Sequence, residues 1–171
     1  MKAKTIIIAV AIVAAIIYIA DKMQKFKPLS HPLVRRKCDN GGCGYFGASR
    51  SGAGTGKAHS HRGQDFLVAP GSEIYAPISG KVRIAAPYKN DPNYSGVEIS
   101  GKVYAVKMFY LSPSVQGGQY VNEGDLVGYA QDISQKYGAI VPPHIHAEVR
   151  AGGVLVDPSP YFPADTPQIL T

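Results

Sequence analysis

From Asp65 onward the chain is written in short apolar runs, cut off by Gly, Pro, Asn and Asp, and none sustains the 3.6-residue period of a helix. EIYAP and KVRIA, GVEIS and KVYAVKMFYL, and the two arms of YVNEGDLVGYA have the length and β-branched or aromatic content of strands. The first two read as a hairpin turning at Ser79-Gly80, with alternation in its second arm. The next two read as a hairpin around Gly101, and the last pair meets around Glu123-Gly124-Asp125. Only SQKY, near residue 135, has the makings of a helical turn. The expected fold class is therefore mainly β, one antiparallel domain, and 171 residues leave room for little besides.

What else there is lies at the N-terminus. Thr5 to Ala20 (TIIIAVAIVAAIIYIA) is apolar apart from two hydroxyls. As a helix it runs roughly 24 Å, a little short of the ~30 Å hydrocarbon core. Lys4 and Lys22 at its ends can snorkel, so it can still span. Tyr18 stands where a signal peptide needs a small residue before a cut after Ala20, which favours an uncleaved anchor. The expected division is an anchor over residues 1–20, a basic juxtamembrane linker over 21–37, and a β domain over 38–171.

The net charge of +6 is confined to the first part of the chain. Eight basic residues (Lys2, Lys4, Lys22, Lys25, Lys27, Arg35, Arg36, Lys37) against Asp21 alone give residues 1–37 a charge of +7, leaving −1 for the rest. A domain of that charge has no electrostatic case for nucleic-acid binding, and the basic stretch reads as a segment lying near anionic headgroups. GAGTGKAH, at residues 52–59, is not a phosphate loop: Ser51 and Ala58 occupy positions that need Gly and Ser or Thr.

Cys38 and Cys43 bracket a loop containing Gly41 and Gly42, whose freedom permits a small disulfide ring. Such a bridge contributes about 2 kcal/mol by restricting the unfolded chain and implies an oxidising compartment. Two cysteines without a CxxC cannot build a Cys-rich zinc site. The histidines can. His144 and His146 share a face of an extended strand, as do His61 and Asp65. Two imidazoles and a carboxylate suit Zn²⁺ and leave a fourth position for water, whose pKa a catalytic zinc lowers to about 7. His59 reads as a loop histidine, and His31, beside Pro32, has no role.

HRGQDFLVAPGSEIYAPISGKV resembles the first motif of the lysostaphin-type zinc endopeptidases, VNEGDLVG their glycine-bearing hairpin, and PPHIHAEV with VDPSPYF their closing strand and turn. The resemblance implies a groove floored by an antiparallel sheet (the duplicated hybrid motif), zinc held by His61, Asp65 and His146, and His144 as general base. CDNGGCGYFGASR, YAPISGKV and VKMFYL resemble the leukocyte cell-derived chemotaxin branch of the same fold, which lacks peptidase activity. Residues 38–162 carry these matches. One departure bears on catalysis: active members carry a histidine in a YxHLS-like strand, and this chain has Tyr110 in MFYLS. A tyrosine hydroxyl can still donate a hydrogen bond to an oxyanion. Glu148, on the face of His144 and His146, is placed to orient a ligand imidazole.

The resemblance implies hydrolysis of peptide bonds in bacterial peptidoglycan, by a cellular enzyme or a phage- or virion-associated lysin. The alternative is a non-catalytic, zinc-stabilised module that binds glycan or protein. Intact HxH favours the enzyme, and Tyr110 favours the module. More basic residues follow the apolar segment than precede it, which by the positive-inside rule alone would face the domain to the cytoplasm. The cysteine pair and the wall-cleaving chemistry outweigh that count, giving a membrane-anchored domain that is extracytoplasmic or lies in a virion membrane.

Overall fold

The computed structural model describes residues 25–50 and 58–162. The anchor expected at residues 5–20 lies outside them, and among the described residues no helix is long and apolar enough to cross a membrane.

The strands in chain order are β1 (Val34–Arg35), β2 (Cys38–Asp39), β3 (Gly42–Cys43), β4 (Ser49–Arg50), β5 (His59–Ser60), β6 (Gln64–Leu67), β7 (Glu73–Tyr75) and β8 (Gly80–Ala85). They continue with β9 (Gly96–Ser100), β10 (Tyr104–Phe109), β11 (Leu111–Pro113), β12 (Tyr120–Val121) and β13 (Leu126–Ala130), then a single helical turn α1 (Ser134–Tyr137), then β14 (His144–Ala151) and β15 (Val154–Val156). The main sheet runs β1-β6-β14-β10-β9-β8-β12, with β15 added beside β14, and a smaller sheet runs β11-β13-β7. Every pairing in both is antiparallel. The expected mainly β, antiparallel class and the SQKY turn are therefore what the chain forms.

Alternation explains why these strands have one wet and one dry face. In β10, Tyr104, Val106 and Met108 are buried while Ala105, Lys107 and Phe109 are less so. In β14, Ile145, Ala147 and Val149 face the core, leaving His144, His146 and Glu148 on the opposite face. One apolar cluster joins these residues to Ile74, Leu111 and Val127 of the smaller sheet.

Two expected hairpins do not form. GVEIS and KVYAVKMFYL do pair around Gly101, but β7 pairs with β13, and β8 pairs with β9 and β12. Ala76 and Ile78 between β7 and β8 are buried, because the chain crosses there from one sheet to the other. Gly80 is needed for a close approach and not for a turn: a Cβ on it would lie 2.5 Å from the Ser100 carbonyl oxygen. Likewise the two arms of YVNEGDLVGYA separate, β12 to β8 and β13 to β11 and β7.

The stretch expected as a linker over 21–37 is, from Lys25 onward, part of the fold. Phe26, Leu29 and Leu33 are in the core, and β1 pairs with β6. The Phe26 ring stacks on Tyr161 at 5.1 Å and meets Phe162 edge-on at 5.6 Å. Three apolar side chains spaced among charges gave no period to read, yet burial of each stabilises by about 1.5–3 kcal/mol.

Candidate metal centre and groove

The centre begins with a register. Asp65 on β6 lies directly opposite His146 on β14, and His146 lies opposite Phe109 on β10. The Asp65 backbone is fixed on both sides. Its N–H donates to the Gly44 carbonyl at 2.8 Å, and its carbonyl accepts from the Arg36 N–H at 2.9 Å and from Gln64 Nε2 at 2.9 Å. His61 reaches the same point by a route other than the extended strand expected from the HxxxD spacing. It sits before β6, its N–H bonded to the Ala48 carbonyl and its own carbonyl accepting from Gly47. Gly63 makes the approach possible, since a Cβ there would lie 2.3 Å from the Ala147 oxygen and 2.8 Å from His146 Cε1.

His61, Asp65 and His146 each offer one ligand atom, and these atoms lie within 4.8 Å of one another. His61 Nε2 is 2.9 Å from His146 Nδ1, and Asp65 Oδ1 is 3.1 Å from the former and 3.0 Å from the latter. The second nitrogen of His61 donates to the Tyr45 carbonyl at 2.8 Å, which leaves the lone pair on the nitrogen that faces the centre. Tetrahedral zinc with bonds of ~2.0 Å spaces its donors roughly 3.3 Å apart. This triangle opens to that size by a few tenths of an ångström, so the residues fit the ion. The donor set is also the one zinc favours.

Charge is arranged around it. Burial alone would raise the Asp65 pKa, but the imidazoles of His146, His61 and His144 packed around it hold it well below the ordinary carboxylate range. Arg36, 4% exposed, donates to Asp65 Oδ2 at 3.1 Å, and Arg50 stands 3.8 Å from the same oxygen. His144 lies next to the triad and outside it. Its Nδ1 donates to the Pro142 carbonyl at 2.7 Å, and its Nε2 faces Asp65 Oδ2 at 3.7 Å. Burial pushes its pKa down, Asp65 only partly opposing, so the imidazole is neutral at pH 7. Glu148 Oε1 is 3.8 Å from His146 Nε2 and 3.4 Å from Arg62, while Lys107 approaches its other oxygen at 3.8 Å. Phe109 stacks on the His146 ring at 6.0 Å and 17°.

These side chains help to line a groove of about 500 Å³, whose lining also includes Arg50, His59, Arg62, Tyr88, Tyr137 and Ile140. A model of peptidase family M23 matches residues 59–158, more than half of the chain and all of the triad. The chain belongs to peptidase family M23. It is similar to leukocyte cell-derived chemotaxin-2 of Bos taurus, 36% identical over 115 residues, 66% of this chain and 71% of that protein. It is also similar to myeloid protein 1 of Gallus gallus, 34% identical over 115 residues, which are 66% of this chain and 34% of that longer protein. Among solved structures, a zinc containing peptidase from Vibrio cholerae superposes with a TM-score of 0.53 at 26% identity, over 83% of this chain and 41% of that one. The catalytic domain of lysostaphin from Staphylococcus simulans shares the fold, with a TM-score of 0.51 at 24% identity over 68% of this chain and 87% of that one. The M23 domain thus spans about a third and two fifths of the chicken and Vibrio proteins.

Tyr110 is the residue at which this M23 domain is most unusual in its backbone. It sits between β10 and β11 with φ of +69°, the only described non-glycine residue in the left-handed region. Its N–H donates to the Ser95 carbonyl at 2.9 Å and its carbonyl accepts from Gln131 at 2.8 Å. The ring meets His144 edge-on at 5.3 Å. Tyr88 donates to the Tyr110 hydroxyl at 3.1 Å and lies 3.0 Å from the Tyr137 hydroxyl. With the one Tyr88 proton committed, Tyr137 donates to Tyr88, and the Tyr110 proton is left for the groove. Burial pushes the Tyr110 pKa up to about 12, so it stays a donor at neutral pH.

The sequence pointed to His61, Asp65, His144, His146, Tyr110 and Glu148, and all six line the one groove. It did not point to Arg36, Arg50 or Tyr88. Arg36 stands between Arg35 and Lys37 and looks like one more solvated charge. Cys38 and Cys43 are joined as expected, closing the β2–β3 hairpin.

Proposed function

We propose that this chain is a zinc metalloendopeptidase that hydrolyses peptide bonds of bacterial peptidoglycan. The observation that carries the reading is His144. A zinc site that only stabilises a fold has no use for a third histidine that is buried, neutral, fixed in one tautomer and aimed at the triad from outside it.

His61, Asp65 and His146 hold zinc in this reading, which supplies Lewis acidity and makes water a nucleophile at neutral pH. His144 Nε2 accepts the proton of the attacking water and later returns it to the leaving amine. The Tyr110 hydroxyl donates to the oxygen on which charge develops, backed by Tyr88. Glu148 and the Phe109 ring keep the His146 imidazole turned so that Nδ1 faces the centre. The groove lined by these residues, Arg50, Arg62 and Tyr137 among them, holds an extended peptide. The Cys38–Cys43 disulfide supports placing the domain outside the cytoplasm, held to a membrane by residues 5–20.

The likeness to chemotaxin-2 and the presence of Tyr110 at the corner after β10 favour a second reading, a binding module that retains zinc without turnover. Release of new amino termini from purified peptidoglycan, with zinc present, removed by chelator and restored, separates the two. The peptidase releases them, stops with chelator and resumes with zinc. No release from any of several peptidoglycan chemotypes leaves the binding module.

A further inference from the structure

Asp65 has two chemically equivalent oxygens, and only Oδ1 faces His61 and His146. Something must make the two unequal. Arg36 does so by holding Oδ2 through Nη1 at 3.1 Å, which stops the carboxylate from rotating or from chelating through both oxygens. A bare guanidinium this close to a divalent cation would repel it. The rest of the Arg36 fork is gripped by Asp39, however, with Nε at 2.8 Å from Oδ2 and Nη2 at 2.6 Å from Oδ1. The hydrogen bond to Asp39 is the largest influence raising the Arg36 pKa, and the reciprocal bond lowers that of Asp39.

Asp39 is itself held in place. It lies on β2 opposite Gly42, next to the Cys38–Cys43 pair, inside a hairpin closed by the disulfide. Its Oδ1 also accepts the Gly41 N–H at 2.8 Å, and Arg36 Nη2 reaches the Gly42 carbonyl at 3.4 Å. A continuous line therefore runs from disulfide hairpin to Asp39, Arg36 and Asp65.

We infer that the Cys38–Cys43 hairpin is an outer brace of the metal centre, with Arg36 a positioning residue for Asp65 and Asp39 the counter-charge that lets Arg36 stand beside a cation. The inference rests on the reading that His61, Asp65 and His146 hold zinc. It accounts for a charge pair and a disulfide that neither the triad nor the base requires.

Zinc affinity of the full chain, measured by competition with a chromogenic chelator, tests it without reference to catalysis. Outer partners of ligands are typically worth ~10–100-fold in metal affinity. Arg36→Gln should weaken zinc binding within that range, and Arg36→Lys, which keeps charge but loses the fork, should not restore it. Asp39→Asn, a substitution at a partly exposed site that spares the fold, should weaken binding by roughly 10-fold. Its effect should vanish in the Arg36→Gln background, because it acts only through Arg36. Cys38→Ser/Cys43→Ser should weaken binding in the same direction. Unchanged affinity in Asp39→Asn, or additive losses in the double variant, overturns the brace. Absence of zinc binding by the wild type overturns the reading beneath it.

Discussion

At the residue scale, strand register separates His144 from His146, which the HIH spelling leaves alike. Both are on one face of β14, two residues apart. His146 is drawn into the triad because Asp65 stands opposite it, whereas His144 stands opposite Leu67 and lies outside the triad. His144→Ala should therefore keep zinc and lose about 10²–10⁴-fold in turnover, the usual worth of a general base. Zinc content by mass spectrometry beside the hydrolysis rate checks both halves. Tyr110→Phe removes one donor and should cost roughly 10²–10³-fold. Tyr88→Phe should cost less, since the Tyr110 hydroxyl keeps its own proton; steady-state rates for the two variants give the order.

At the element scale, the β6–β14 pairing is the device on which the centre depends, and Gly63 is its narrowest point. Gly63→Ala places a methyl group against the Ala147 carbonyl and the His146 ring. It should destabilise the domain by about 1–3 kcal/mol, measured by urea titration, and weaken zinc binding because His146 must move. The β2–β3 hairpin carries a simpler expectation. Intact mass without reductant should be lower by two hydrogens for the Cys38–Cys43 bond, and two alkylatable thiols in freshly isolated protein would contradict it.

At the scale of the whole molecule, the folded unit starts before the cysteines. Phe26, Leu29 and Leu33 belong to the core, Phe26 packing against Tyr104, Tyr161 and Phe162. A chain beginning at residue 38 loses these side chains, β1 and Arg36. It should show no cooperative thermal transition, whereas one beginning at residue 25 should. Leu33→Ala in the full chain should cost about 2–5 kcal/mol by cavity formation. This part of the core was illegible in the sequence because its apolar residues lie in irregular backbone, where no period of 2 or 3.6 marks a buried face. The strands themselves were legible, since β10 and β14 alternate cleanly, and so was the β9–β10 pairing, but other partners were not: β7 and β8 are neighbours in sequence and belong to different sheets. The triad and base were legible because their residue types are rare and closely spaced. Arg36 was not, because what distinguishes it from Arg35 is burial, a property of the β1–β6 contact and not of the local sequence.

In the proposed mechanism this groove hydrolyses peptide bonds through a bound zinc and a separate histidine base. Release of new amino termini from peptidoglycan by wild type and His144→Ala, compared at equal zinc occupancy near pH 7, tests it most directly. Chelator-sensitive release by the wild type and a loss of about 10²–10⁴-fold in the variant are expected. Equal rates for the two proteins, or no release by a wild type that carries its zinc, would contradict it.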